Sequence, residues 1–180
     1  MTEANTTKGG LERGLTRIRA VAMDVYGVLT DGGLWWGPNG EEFKRFCFAD
    51  IMGVSLARRA GLGLALISGE NSPLVDRYAE KMHIHHVIKG CRDKGTALSE
   101  FAVASGLDLS EICFMGDDIN DLSAMRLAGF SAAPANAARD VLSYVDFIAK
   151  SNGGNGAVRD LMEALLDAQG LDIQEVFSRR

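Results

Sequence analysis

The sequence has 180 residues, about the length of one domain, with 47% apolar and 24% charged side chains, which excludes a disordered, collagenous or coiled-coil chain. A net charge of −5 with no basic cluster argues against a nucleic-acid partner or an anionic membrane surface. The three cysteines are isolated and form no CxxC, so neither a zinc site nor a disulfide framework is expected.

Residues 1 to about 16 read as a polar N-terminal tail without the apolar core of a signal peptide. No apolar run reaches the ~18 residues of a membrane span, and the expected location is cytoplasmic. The stretch 18–24 (IRAVAMD) then reads as a buried strand ending in an acid. Residues 31–48 carry two arms, 34–36 and 42–48, around the turn cluster GPNG, the pattern of a β-hairpin. Helical periodicity follows over 51–60, ended by Gly61. A second strand, 62–68, ends in Ser68, and a helix over 72–82 starts with Pro73 in its first turn. A weaker strand at 86–89 precedes a helix over 94–105, ended by Gly106. A strand at 112–115 leads into GDD, and a helix is expected over 121–128. Strands at 130–133 and 147–149 and a helix over 157–168 complete the pattern. Strand–helix alternation predicts an α/β fold, a parallel sheet with helices on both faces. The domain is expected to span 17–170, with the hairpin as its one insert and 171–180 as a C-terminal tail.

In such sheets, ligands meet the carboxyl ends of the strands. Three of those ends carry polar groups: Asp24, then Ser68, then Asp117, Asp118 and Asp121, with Lys94 opening the helix between the last two. Clustered carboxylates suit Mg²⁺. A Lys and a Ser hydroxyl suit phosphate oxygens, and an Asp can be a covalent nucleophile. The set therefore suits phosphoryl transfer. Three further features have plainer readings. The histidines of HIHH (83–86) lie on different faces and read as surface groups. Trp35 and Trp36, as neighbours on a strand, point to opposite faces. The glycine loop at 152–156 could equally cradle phosphate or simply precede a helix.

DVYGVLTDG (24–32), LISGE (66–70), Lys94 and GDDIND (116–121) resemble, in order and spacing, the four motifs of the haloacid dehalogenase superfamily. The hairpin directly after the first motif, and GGNGAVR at 153–159, resemble more closely its 3-deoxy-manno-octulosonate 8-phosphate phosphatase branch. The resemblance runs from about residue 18 to 166. It implies a Rossmann-like fold without a separate cap domain. It also implies a Mg²⁺-dependent phosphatase acting on a sugar acid phosphate through an aspartyl-phosphate on Asp24. Asp24, the backbone carbonyl of Tyr26 and Asp117 would hold the metal. Ser68 and Lys94 would hold the phosphoryl group, with Asp121 supporting the metal site or Lys94 from behind and Asp118 either doing the same or only capping the next helix. Thr30, Gly69, Glu70 and Arg159 would lie on the substrate side, Arg159 in a C-terminal segment that can fold over a neighbouring active site. With no cap to close the site, the resemblance implies a homotetramer in which a neighbouring subunit covers it.

Two positions depart from the branch. Tyr26 stands where its phosphatases carry the Asp that protonates the leaving oxygen and then activates water. A phenol with a pKa near ~10 is a poor base at neutral pH, so slow turnover is expected. DxYG also resembles the first motif of 2-haloacid dehalogenases, which attack carbon without metal; a catalytically impaired, ligand-binding relative is a further alternative. Glu70 replaces the Arg usual in the octulosonate branch, and here the chain is more similar to the phosphatases of nonulosonate 9-phosphates.

Overall fold

The computed structural model describes residues 14–179. Six parallel strands form the sheet: β1 (Ala20–Met23), β4 (Gly63–Ile67), β5 (His86–Ile88), β6 (Ile112–Met115), β7 (Phe130–Ala133) and β8 (Phe147–Ile148), in the order β5-β4-β1-β6-β7-β8. The expected α/β class and parallel sheet are therefore found. Strands β2 (Trp35–Trp36) and β3 (Glu42–Phe43) pair antiparallel as a separate hairpin. It is shorter than its expected arms, although an isolated bridge between Thr30 and Phe46 continues the pairing at its base.

The helices divide between the two faces of the sheet. Val21, Met23, Leu64, Leu66, Cys113 and Met115 point to one face, against α1 (Phe48–Arg59), α2 (Pro73–Met82) and α6 (Ala157–Ala168). Their alternate neighbours Ala20, Ala22, Ala65, Ile67, Ile112 and Phe114 face α3 (Lys94–Ser105), α4 (Leu122–Met125) and α5 (Arg139–Leu142). This is the period-two alternation of a strand buried on both sides. The central β1 is hydrogen-bonded to β4 on one side and β6 on the other. The chain moves outward from β1 through β4 and β5, then returns to β6. The crevice beyond the carboxyl ends of β1 and β6 is therefore the switch point where open α/β sheets bind ligands.

Three expectations are corrected. The helix expected over 121–128 is a 3-10 turn, Ile119–Asp121, followed by the four-residue α4, because the Asp121 carboxylate turns back onto the preceding loop. The stretch expected as a C-terminal tail forms α7 (Ile173–Ser178), capped by Asp172, and buries Val176 against Leu56 and Leu166. Of the expected N-terminal tail, residues 1–13 lie outside the described residues, but Leu15 is buried in the core. Trp35 and Trp36 are 68% and 75% exposed. His83 caps α2 in the left-handed conformation, and His86 packs edge-on against Phe101. Among the described residues no histidine joins a metal-binding group.

Candidate active site

Asp24 follows the last residue of β1, and its backbone N–H donates to the carbonyl of Met115 at 2.9 Å, which fixes it beside the end of β6. Its carboxylate is buried and lies 3.0 Å from Lys94 Nζ. Lys94 is the first residue of α3, where Asp93 caps the helix by accepting from the Gly95 N–H at 3.0 Å. From there the buried ammonium also donates to Asp121 Oδ1 at 2.5 Å. Asp121 spends its other oxygen on the backbone: Oδ2 accepts from the N–H groups of Asp117 at 2.8 Å and Asp118 at 3.1 Å. Asp121 thus ties Lys94 to the loop that carries Asp117.

Two glycines allow this crowding. A Cβ on Gly27, whose φ is +85°, would stand 2.0 Å from Asp117 Oδ2, and one on Gly116 would stand 2.4 Å from the Asp121 carboxyl carbon. The first loop must therefore pass bare against the Asp117 carboxylate.

Oxygens of Asp24, Asp117 and Asp121 lie within 4.8 Å of one another. With Lys94 alone opposing them among the described residues, the three carboxylates leave a net negative cluster. Its effect is visible in the proton affinities. Burial pushes Asp24 up to about 6, with Asp121 adding and Lys94 opposing. Burial also pushes Asp117 up to about 7, with Asp24 and Asp121 adding. For Lys94, burial pulls downward, but Asp24 and Asp121 together outweigh it and hold the ammonium above its ordinary value. A hard divalent cation relieves this repulsion. Asp121 already has both oxygens engaged, so Asp24 and Asp117 are the carboxylates that fit it.

Ser68 is wholly buried at the end of β4. Its N–H donates to Ile88 O at 2.8 Å, and its Oγ accepts from the Glu70 N–H at 3.2 Å. Gly69 and Glu70 follow it and are exposed. Tyr26 is half-buried over the loop, and its hydroxyl is buried without a hydrogen-bond partner.

Three residues expected near the substrate or behind the site have other surroundings. Thr30 is fully buried, and its Oγ1 accepts from the N–H groups of Gly27 at 3.2 Å and Gly32 at 3.3 Å, so it braces the first loop from inside. Arg159 lies on α6, paired with Glu163 at 2.6 Å beside Met52, Leu56 and Ile173, a lining that includes none of the strand-end carboxylates. Asp118 is exposed, and its side chain accepts from the Ile119 N–H at 2.7 Å and caps the next turn, while its backbone N–H is what reaches the Asp121 carboxylate.

Two residues were not singled out from the sequence. Asp50 is a fully buried carboxylate on α1, and an acid in the otherwise apolar stretch FADIMGV is the signal that marks it. Lys44, just after β3, lies over the Tyr26 ring.

With this geometry the chain belongs to the haloacid dehalogenase-like hydrolases, whose family model matches residues 66–161. It is 34% identical over 160 residues to the 3-deoxy-D-manno-octulosonate 8-phosphate phosphatase KdsC of Haemophilus influenzae, covering 89% of each chain. A solved 3-deoxy-D-manno-octulosonate 8-phosphate phosphatase of Moraxella catarrhalis, in complex with magnesium, phosphate and KDO, superposes with a TM-score of 0.87 at 38% identity, over 90% of this chain and 93% of that one. A Legionella pneumophila protein assigned to subfamily III A of the HAD superfamily superposes with a TM-score of 0.95 at 32% identity, over 99% and 97%.

Proposed function

We propose that the protein is a Mg²⁺-dependent phosphatase of a 2-keto-3-deoxy sugar acid phosphate, an octulosonate 8-phosphate or a nonulosonate 9-phosphate. The observation that carries this reading is the Asp24 carboxylate held 3.0 Å from Lys94 Nζ beside Asp117. Similarity to octulosonate 8-phosphate phosphatases along most of the chain supports the substrate class.

Asp24 would attack phosphorus with one carboxylate oxygen. The P–O bond to the sugar breaks as the aspartyl-phosphate forms. Water then attacks phosphorus, releases phosphate and restores the carboxylate. Lys94 and the Ser68 hydroxyl would hold the equatorial oxygens, where charge develops. Asp121 would keep Lys94 in place. Asp24, Asp117 and the Tyr26 carbonyl would hold Mg²⁺, which neutralises charge on the phosphoryl group when bound. Tyr26 gives the site no carboxyl to protonate the leaving oxygen or activate water, so turnover is slow. Glu70, at the exposed end of the second motif, cannot pair with a substrate carboxylate as an Arg would, and the octulosonate and the nonulosonate both stay open as substrates.

A homotetramer fits the exposed Leu34, Trp35, Trp36 and Phe43 of the hairpin. Unpaired Cys47, Cys91 and Cys113 fit a cytoplasmic location. No helix among the described residues is long and apolar enough to cross a membrane.

Phosphate release from a panel of sugar acid phosphates, with and without Mg²⁺, tests the proposal; no turnover on any of them would sink it. Tyr26 is the one feature that favours the 2-haloacid dehalogenase reading, and metal-independent halide release from a 2-haloacid would establish that instead. Tight sugar acid binding without turnover, even in Tyr26→Asp, would mark an impaired, ligand-binding relative.

A further inference from the structure

Helix α6 starts at Gly156, whose φ of +110° and missing side chain leave it no cap of its own. The cap comes from α1. Asp50 Oδ2 accepts from the Gly156 N–H at 3.1 Å, and Oδ1 accepts from Val158 at 3.0 Å and Arg159 at 3.2 Å. Gly53, one turn further along the same face of α1, lets the two helices close together: a Cβ there would stand 2.8 Å from Arg159 Cα. Asp50 is fully buried, and no cation pairs with it among the described residues. Burying a carboxylate against neutral N–H groups alone is expensive, and a helix cap on the surface would do without it.

The loop ahead of Gly156 shows what the buried acid holds. Gly154 N–H donates to Val28 O at 2.9 Å. A Cβ on Gly153 would fall 1.7 Å from Gly27 O, and one on Gly154 would fall 2.3 Å from the Asp31 nitrogen. The glycine loop is thus seated backbone to backbone on the first loop, one peptide beyond the Tyr26 carbonyl. On its other side, Gly153 N–H donates to Asn136 Oδ1 at 2.8 Å, and two residues on, the Ala138 N–H donates to Asp117 O at 2.7 Å. Arg45 closes the outside, donating to Gly154 O at 2.9 Å and Asn155 Oδ1 at 3.0 Å. The glycine loop therefore bears on both loops that carry the metal-site groups, and Asp50 fixes its end.

We infer that Asp50 is a positioning residue for the metal site, setting the separation of the Tyr26 carbonyl and Asp117 through the glycine loop 152–156. This rests on the proposed metal site, but not on the identity of the substrate. Without Asp50 the start of α6 is free to shift, and both ligand-bearing loops lose their common support. Cation binding needs ligand oxygens held at fixed distances, so affinity falls even while the fold persists.

The test measures Mn²⁺ binding to the full chain without substrate, by water-proton relaxation, alongside near-ultraviolet circular dichroism. Asp50→Ala is expected to weaken Mn²⁺ at least tenfold in folded protein. Asp50→Asn keeps an oxygen for Val158 and Arg159 and should recover part of that loss. A cap that merely stabilises α6 would lower Tm and leave the affinity of the folded protein unchanged. A loss below threefold in Asp50→Ala overturns the inference, and if that variant does not fold, an Asp50→Asn affinity equal to the native one overturns it. If the native chain binds no Mn²⁺, the metal site falls and this inference with it. If it binds Mn²⁺ but hydrolyses no sugar acid phosphate, the proposed activity falls while the affinities still decide the role of Asp50.

Discussion

Lys44 Nζ lies 4.4 Å from the centroid of the Tyr26 ring. The lysine side chain is only 9% exposed, and it stands 3.9 Å from Glu42, beyond hydrogen-bond range. A desolvated ammonium over an aromatic face is a favourable contact, and it pins the ring over the first loop. The phenol itself is poorly suited to proton transfer. Burial raises its pKa above the ordinary value, with Glu42, Glu70 and Asp24 adding and Ser72 opposing. It stays neutral at working pH and cannot act as a base. Replacing it with a carboxyl restores a group that can both give and take a proton, an effect worth ~10²–10⁴-fold in general acid–base catalysis. Tyr26→Asp is therefore expected to raise turnover of a sugar acid phosphate at least tenfold, measured by phosphate release. An unchanged or lower rate would show that Tyr26 is adapted to other chemistry. Tyr26→Phe removes a buried hydroxyl that no partner reaches at ordinary hydrogen-bond distance, Ser72 acting on it from farther off. Since an unsatisfied buried polar group is destabilising, this variant should hold or raise Tm in a thermal melt.

The carboxylates give the metal-free protein a distinctive pH dependence. Asp24 titrates near 6 and Asp117 near 7 in the folded chain, while both have an ordinary value of 3.8. As pH rises from about 4 to about 7, the unfolded chain loses protons that the folded chain keeps. These two groups therefore lower stability through that window, and their effect is constant above it. A bound divalent cation takes the place of those protons. The rise in Tm produced by Mg²⁺ over EDTA should then be larger at pH 7.5 than at pH 5. An equal or larger rise at pH 5 would show that the cation binds elsewhere.

The strand-end groups were legible in the sequence because each comes within two residues of the end of a short apolar run, so the strand that carries it also aims it. Asp24, Ser68 and Asp117 are of this kind. Lys94 was legible as the first residue of a helix. Thr30 was not: its place in DVYGVLTDG says that it is near the site, but only the folded loop shows its hydroxyl turned inward onto Gly27 and Gly32. Arg159 shares a motif with the glycine loop, yet the helical turn that follows points it toward Glu163. Asp50 works through residues more than 100 positions away. No local pattern carries such a pairing, because it depends on which helix α1 packs against. The last helix, α7, was hidden for a related reason: six residues are too few for a periodicity, and its place is fixed by burial of Val176.

Lys94 offers a test of the charge balance. Among the described residues its ammonium is the only cation between Asp24 and Asp121. Lys94→Met keeps the length of the side chain and removes the charge, leaving two carboxylates facing each other in a buried site. Removing one partner from a buried ion pair typically costs about 3–5 kcal/mol. Urea unfolding in EDTA at pH 7.5 should therefore show a loss of that order. Phosphate release should fall by ~10²–10³-fold, the usual effect of deleting one donor to a developing oxyanion. Full stability in EDTA would mean that Asp24 and Asp121 share a proton and that Lys94 is not needed to balance them.

The hairpin tests the proposed assembly. Trp35 stands opposite Phe43 on one face, and Trp36 stands opposite Glu42 on the other. Leu34, Trp35, Trp36 and Phe43 are all exposed, from 43% for Leu34 to 75% for Trp36. A two-stranded ribbon cannot bury both of its faces by itself, and two adjacent tryptophans in water are a large unpaid apolar surface. Contact with other copies of the chain would cover them, and a buried interfacial Trp is commonly worth 2 kcal/mol or more. Trp35→Glu places a charge in that contact without touching the central sheet. Light scattering coupled to size exclusion should show a tetramer for the native chain and smaller species for Trp35→Glu, with circular dichroism unchanged. Phosphate release should fall along with assembly if a neighbouring subunit covers the site. A native chain that is monomeric at micromolar concentration would remove the tetramer, and the strand-end site would then have to work without a cover.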